Sequence, residues 1–253
     1  MAPVRAVIFD LGETLVTFRG DPLETHRQGS QRVYGLLWQR LALPIGLEEF
    51  TRRLLEIRRH LFEKTFRELR QYTATDALQY LLAELGLEAS DALLQEAVRR
   101  YFEPELEAYQ AVPDAPAVLK ALRDQGLQLA LLSNASDHSF ILNLVEARGF
   151  APYLDLVETS ARLGVPKPHP RAFQAVLERL GVAPEEAVMV GDSLAMDIAG
   201  ARQVGLRAVW IPRDRQAPFP FNREILTTRA QPDHQISRLR DLLSWPPLAP
   251  SRS

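Results

Sequence analysis

Short, unbroken apolar runs alternate along most of this chain with longer stretches whose apolar residues recur every three or four positions. The runs are RAVIFD (5–10), LQLALLSN (127–134), LDLVET (154–159), AVMVGD (187–192) and RAVWIP (207–212). A strand covered on both faces shows no polar side, so continuous runs of this length predict parallel strands. Between them lie APAVLKALRDQG (115–126), HSFILNLVEARG (138–149), HPRAFQAVLERLG (169–181) and LAMDIAGARQVG (194–205). Each has helical periodicity and ends in or near a glycine suited to a left-handed cap. This alternation predicts a doubly wound α/β sheet.

The alternation breaks once. From Phe18 to Val112 the pattern predicts helix and no strand, as in LEEFTRRLLEIRRHLFEKTFRELR (47–70), TATDALQYLLAELG (73–86) and EASDALLQEAVRRYFEPELEAY (88–109), with Ser90 as an N-cap. So long a segment is no ordinary loop between strand and helix. It predicts an inserted helical domain over residues 18–112, with residues 1–17 and 113–253 forming a discontinuous α/β core. The insert leaves directly after the first strand, so it would overhang the carboxyl ends of the strands, where open α/β sheets bind ligands. After Pro212 the chain turns proline-rich; DHQISRLRDLLSW (233–245) predicts a last helix and PPLAPSRS (246–253) disorder.

At 253 residues and 46% hydrophobic, the chain can bury a large core. A formal net charge of -2 gives no attraction to nucleic acid or to an anionic membrane. No apolar run approaches the roughly 20 residues of a membrane span, and MAPVRAVIFD lacks the apolar core of a signal peptide. Cysteine is absent, which excludes disulfides, thiolate metal sites and a thiol nucleophile. The expectation is a cytoplasmic monomer or homodimer with neither nucleic-acid nor membrane partners. Lysine occurs only at Lys64, Lys120 and Lys167, so a lysine in a site-like setting stands out.

Polar residues sit at strand ends where a packed core would not choose them: Asp10 after AVIF, Ser133 and Asn134 after LALL, and Asp192 after AVMVG with Asp197 five residues on. Lys167 lies in GVPKPHP, ahead of the helix that leads into the next strand. An α/β sheet can bring all of these to the crevice where the strand order reverses. Asp10, Asp192 and Asp197 form an oxygen-rich set suited to Mg²⁺. Ser133, the amides after it and Lys167 offer donors and positive charge to a phosphoryl group, and a carboxylate beside Mg²⁺ can attack phosphorus. Taken singly, each residue also has a plain reading, since aspartate, serine and asparagine at strand ends cap helices and form turns. The arginine pairs Arg52–Arg53 and Arg58–Arg59 read as a solvated helix face, and the five histidines show no metal-ligand spacing.

Together FDLGETL, LLSNAS, GVPKPHPRAF and VMVGDSLAMDIAGARQVG resemble the four ordered motifs of the haloacid dehalogenase (HAD) superfamily. The resemblance implies a Rossmann-like, HAD-like core with an inserted α-helical cap, and a hydrolase, most often a Mg²⁺-dependent phosphatase acting on a small phosphorylated metabolite. Carried over, it makes Asp10 the nucleophile and a metal ligand, with the Gly12 carbonyl, Asp192 and Asp197 completing the protein's metal ligands. Ser133 and Lys167 become the other catalytic residues, and Thr14, Asn134 and Lys167 the substrate contacts.

One position departs from the pattern. The family's phosphatases usually place a second aspartate where this chain has Gly12, and that residue handles the leaving group's proton. Glu13 is expected to point away, leaving Glu24 or His26 of the insert as substitutes. Two alternatives therefore stay open. One is a metal-free 2-haloacid dehalogenase, whose halide leaves without a proton; the other is a binding protein with little turnover.

Overall fold

The computed structural model describes residues 2–213 and 230–248. Six parallel strands form the main sheet: β1 (Ala6–Phe9), β4 (Gln128–Ser133), β5 (Leu156–Thr159), β6 (Ala187–Gly191), β7 (Arg207–Trp210) and β8 (His234–Gln235). Their spatial order is β5-β4-β1-β6-β7-β8. The chain thus builds outward from β1 on one side and then returns to build on the other. β1 pairs with both β4 and β6, Phe9 lying opposite Leu131 and Val190. The reversal of strand order falls at the carboxyl end of β1, where Asp10 stands.

Alternation along the strands sorts the core into two layers. Val7, Phe9, Leu129, Leu131, Val188 and Val190 face one side, and Ala6, Ile8, Ala130, Leu132, Ala187 and Met189 the other. The second layer is covered by α8 (Pro170–Leu180) and α9 (Ala199–Gln203), through Phe173, Val176 and Ala201. The first is covered by α5 (Ala115–Asp124) and α6 (His138–Ala147) and runs on without a break into the insert. The short α7 (Ser160–Leu163) follows β5.

The insert holds four helices, α1 (Pro22–Leu41), α2 (Leu47–Glu68), α3 (Ala74–Glu84) and α4 (Asp91–Ala108). Asp21, Thr73 and, as expected, Ser90 cap three of them by accepting from backbone amides, and Thr73 with Asp76 forms a reciprocal capping box. α1 lies close against α4: a Cβ on Gly29 would come within 2.3 Å of the Tyr101 carbonyl oxygen.

Two expectations need correction. The 18–112 segment is not purely helical, since β2 (Val16–Phe18) and β3 (Tyr109–Ala111) pair antiparallel where the chain enters and leaves the insert. Strands of three residues have too few positions to show a period. Residues 233–245 form β8 and a 3₁₀ helix (Leu239–Ser244), not an α-helix. There the backbone hydrogen bonds of Asp233 and Ile236 to β7 override a weak helical pattern. Of the stretch expected to be disordered, residues 249–253 lie outside the described residues. Among the described residues, no helix is long and apolar enough to cross a membrane.

Candidate active site

Asp10 continues β1 by one residue, its amide donating to the Val190 carbonyl at 2.9 Å. Lys167, only 2% exposed, donates from Nζ to Asp10 Oδ1 at 2.6 Å and to Asp197 Oδ1 at 2.7 Å. Asp197 reaches this position because the segment after Ser193 starts as a π-turn over Leu194–Ile198 before α9. The wider turn brings the carboxylate back, so that the Ser193 amide donates to its Oδ2 at 2.9 Å. Asp197 is therefore not a solvated first-turn residue but a buried partner of the lysine.

Asp10, Asp192 and Asp197 each present an oxygen, all within 4.8 Å of one another. Three carboxylates against one ammonium leave an excess of two negative charges when all are ionised. Burial, opposed by Lys167 and reinforced by Asp197, pushes Asp10 up to about 6. Burial would lower Lys167, yet Asp10 and Asp197 together hold it above its ordinary value. Such a hard, oxygen-rich, over-negative cluster fits a divalent cation such as Mg²⁺, which would offset the excess charge.

Gly191 shows how tightly this is built: a Cβ there would lie 2.3 Å from Asp197 Oδ2. Gly191→Ala is expected to displace the Asp197 carboxylate and weaken divalent-cation binding at least tenfold while the protein stays folded. Calorimetric titration with Mg²⁺ beside circular dichroism checks this; unchanged affinity would show that Asp197 adapts.

The other expected residues divide. Ser133, Asn134 and Gly12 line the same cavity, of about 640 Å³. Asn134 has its amide committed to the Lys167 backbone, donating to the carbonyl at 2.9 Å and accepting from the N–H at 2.7 Å. It thus positions Lys167 instead of contacting substrate as expected. The Ala135 amide, one of the donors expected after Ser133, is taken by Ser160 Oγ at 2.9 Å. Thr14 is fully buried and does not line the cavity, so the expected substrate contact is not made. Glu13 Oε1 accepts from the Phe18 amide, in keeping with its expected orientation.

The insert supplies the opposite wall. Glu24 is exposed on α1 and bonded to Gln28, away from the cavity. His26 does line it, with Nδ1 3.0 Å from the Tyr101 hydroxyl. Burial and the Arg58 charge lower it to about 3, so it stays neutral and is a poor proton donor near pH 7. Arg52 and Arg53 pair with Glu49 on the solvated face, but Arg58 turns inward. Its guanidinium lies 4.4 Å from the Tyr101 ring centre and 5.5 Å from that of Phe102.

The sequence reading missed Glu105. It is 7% exposed and lines the cavity, and its Oε2 has no hydrogen-bond partner. A signal was present: Glu105 falls on the apolar stripe of α4, seven residues after Val98, four after Tyr101 and three after Phe102. Burial pushes it up to about 7 against the pull of Arg58. In the unfolded chain it ionises near 4.5, whereas the folded protein keeps the proton until about pH 7. The stability it contributes is therefore present below pH 4.5 and lost as pH rises to 7. Glu105→Gln is expected to match the wild type near pH 4.5 and exceed it by about 1–3 kcal/mol at pH 8. Thermal melts across that range check this; parallel curves would refute it.

A parallel α/β sheet with an acidic, lysine-bridged crevice where its strand order reverses, facing a helical insert, defines a class of α/β hydrolase. Residues 4–205 match the haloacid dehalogenase-like hydrolases, and the chain belongs to that family. It is 40% identical to a phosphoserine phosphatase of Thermus thermophilus over 141 residues, 56% of this chain and 53% of that protein; the match thus spans about half the relative. It is 29% identical to a glyceraldehyde 3-phosphate phosphatase of Methanopyrus kandleri, over 95% of this chain and 96% of that protein. Among solved structures, a 2-haloacid dehalogenase from Pseudomonas syringae is similar with a TM-score of 0.64 and 26% identity, covering 95% of this chain and 97% of that one.

Proposed function

We infer that the protein is a Mg²⁺-dependent phosphatase acting on a small phosphorylated metabolite in the cytoplasm, with residues 18–112 serving as a cap over the site. The observation that carries this is the cluster of Asp10, Asp192 and Asp197, whose excess negative charge calls for a divalent cation. Phosphatases among the relatives support the same reading.

Bound at those carboxylates and the Gly12 carbonyl, Mg²⁺ would supply charge to offset the transferring phosphoryl oxygens. Asp10 attacks phosphorus, the bond to the leaving oxygen breaks, and an aspartyl-phosphate forms that water then opens. Lys167 holds Asp10 ionised and oriented and offers positive charge as the phosphoryl group arrives. Ser133 lines the cavity beside it and can hydrogen-bond a phosphoryl oxygen. Gly12 offers no proton to the leaving oxygen, so leaving groups that are stable as anions are favoured. Closure of the insert would exclude bulk water.

Hydrolysis of p-nitrophenyl phosphate tests this, since its leaving group needs little protonation. Turnover is expected that disappears with EDTA and in Asp10→Asn; turnover that survives either treatment would overturn the reading. Gly12 and the similarity to a dehalogenase favour one second reading, metal-free displacement of halide from a 2-haloacid by Asp10. Halide release that persists in EDTA would establish it instead. Binding of Mg²⁺ or phosphate with no turnover of either substrate class would point to a binding protein.

A further inference from the structure

The cavity has two chemically different ends. One is the carboxylate–lysine cluster around Asp10; the other is a wall of insert residues in which Arg58 and Glu105 are held among aromatic and aliphatic side chains. These two carry opposite charge and lie close enough to shift one another's protonation, yet they are not paired: Arg58 rests on the rings of Tyr101 and Phe102, while Glu105 Oε2 is buried with no partner. His26, beside Arg58, is held neutral and so satisfies neither charge.

Resting on the phosphatase reading, we propose that this wall binds a zwitterionic head, its ammonium against Glu105 and its carboxylate against Arg58, so that the ester cleaved at Asp10 is an O-phosphorylated amino acid. A buried polar atom without a partner is costly, and the natural supplement is a ligand donor. A purely anionic leaving group would satisfy Arg58 and leave Glu105 unpaired. A purely cationic one would meet Glu105 but face Arg58 with like charge. A sugar or polyol supplies donors but no anion. Only a head with both charges answers both residues, and the surrounding Phe102, Phe140 and Ile141 remove the water that would otherwise screen them. Burial holds Glu105 near 7, so an approaching ammonium finds a carboxyl that ionises at little cost. The cavity, at about 640 Å³, has room for an aromatic as well as an aliphatic side chain.

Calorimetric titration of full-length Asp10→Asn with Mg²⁺ tests this without requiring turnover. The probes are two matched pairs: O-phosphoserine with 3-phosphoglycerate, and O-phosphotyrosine with its analogue lacking the amine. Phosphoethanolamine, which lacks the carboxylate, completes the set. At least one amino acid is expected to bind tenfold or more tightly than its amine-free partner, and more tightly than phosphoethanolamine. Glu105→Gln in the same background is expected to shrink the first preference below threefold, and Arg58→Met the second. Equal binding within both pairs, preferences that survive these substitutions, or no binding of any probe would overturn the proposal. If p-nitrophenyl phosphate is still hydrolysed in that event, the phosphatase reading stands alone. Selective binding by a protein that hydrolyses no phosphate ester would retain the subsite and discard the catalytic reading.

Discussion

Lys167→Met is expected to lower phosphatase turnover by about 10²–10³-fold or more and to destabilise the metal-free protein by about 3–5 kcal/mol. The ammonium is the only cation bonded to Asp10 and Asp197 among the described residues, and all three groups are buried. Methionine keeps the length and apolar stem of the side chain but leaves two carboxylates facing each other without compensation. Part of the lost stability should return with Mg²⁺, because a divalent cation offsets the same excess charge, whereas turnover should not. Melting temperature and turnover, each with and without Mg²⁺, separate the two effects. A variant as stable and active as the wild type would mean that the lysine is not what balances the cluster.

Gly12→Asp is expected to raise turnover of alkyl phosphates such as glycerol phosphate by about 10²–10⁴-fold, while changing p-nitrophenyl phosphate hydrolysis little. A Cβ at Gly12 meets nothing within 4 Å, and its φ lies outside the left-handed region, so a side chain fits without strain. The nearby insert residues offer no ready substitute: Glu24 faces solvent and His26 is neutral near pH 7 with its ring against Tyr101. The new carboxylate would supply the proton that an alkoxide leaving group needs. Comparing kcat/KM across leaving groups of graded acidity measures this. An unchanged rate on alkyl phosphates would show that some other group already donates the proton.

If Glu105 and Arg58 read the leaving group, then catalysis and recognition lie on opposite sides of one cavity, the first on the sheet and the second on the insert. The cost of holding Glu105 protonated then has a functional reason. Stability lost above pH 4.5 would be exchanged for a group ready to ionise against an ammonium.

The amino-acid sequence by itself determined the five longer parallel strands, the helices between them and the gathering of Asp10, Ser133, Lys167, Asp192 and Asp197 at one crevice. Those features were legible because each rests on a local rule. A doubly covered strand is apolar throughout, and a polar residue at its end has one place to go. Only the tertiary structure decided that Asn134 serves the Lys167 backbone, that Thr14 is sealed beneath the site, and that the π-turn swings Asp197 onto the lysine. It also decided which arginine of the Arg58–Arg59 pair stacks inward, and that Glu105 meets no partner. Each of these depends on residues tens of positions away: Arg58 is directed by rings on α4, and Asn134 by a backbone 33 residues on. The periodicity of a segment records which of its residues are covered, but not what covers them. The charge and hydrogen-bonding of a buried group are set by that covering, so the catalytic pattern could be read along the chain while its balance and the opposing wall could not.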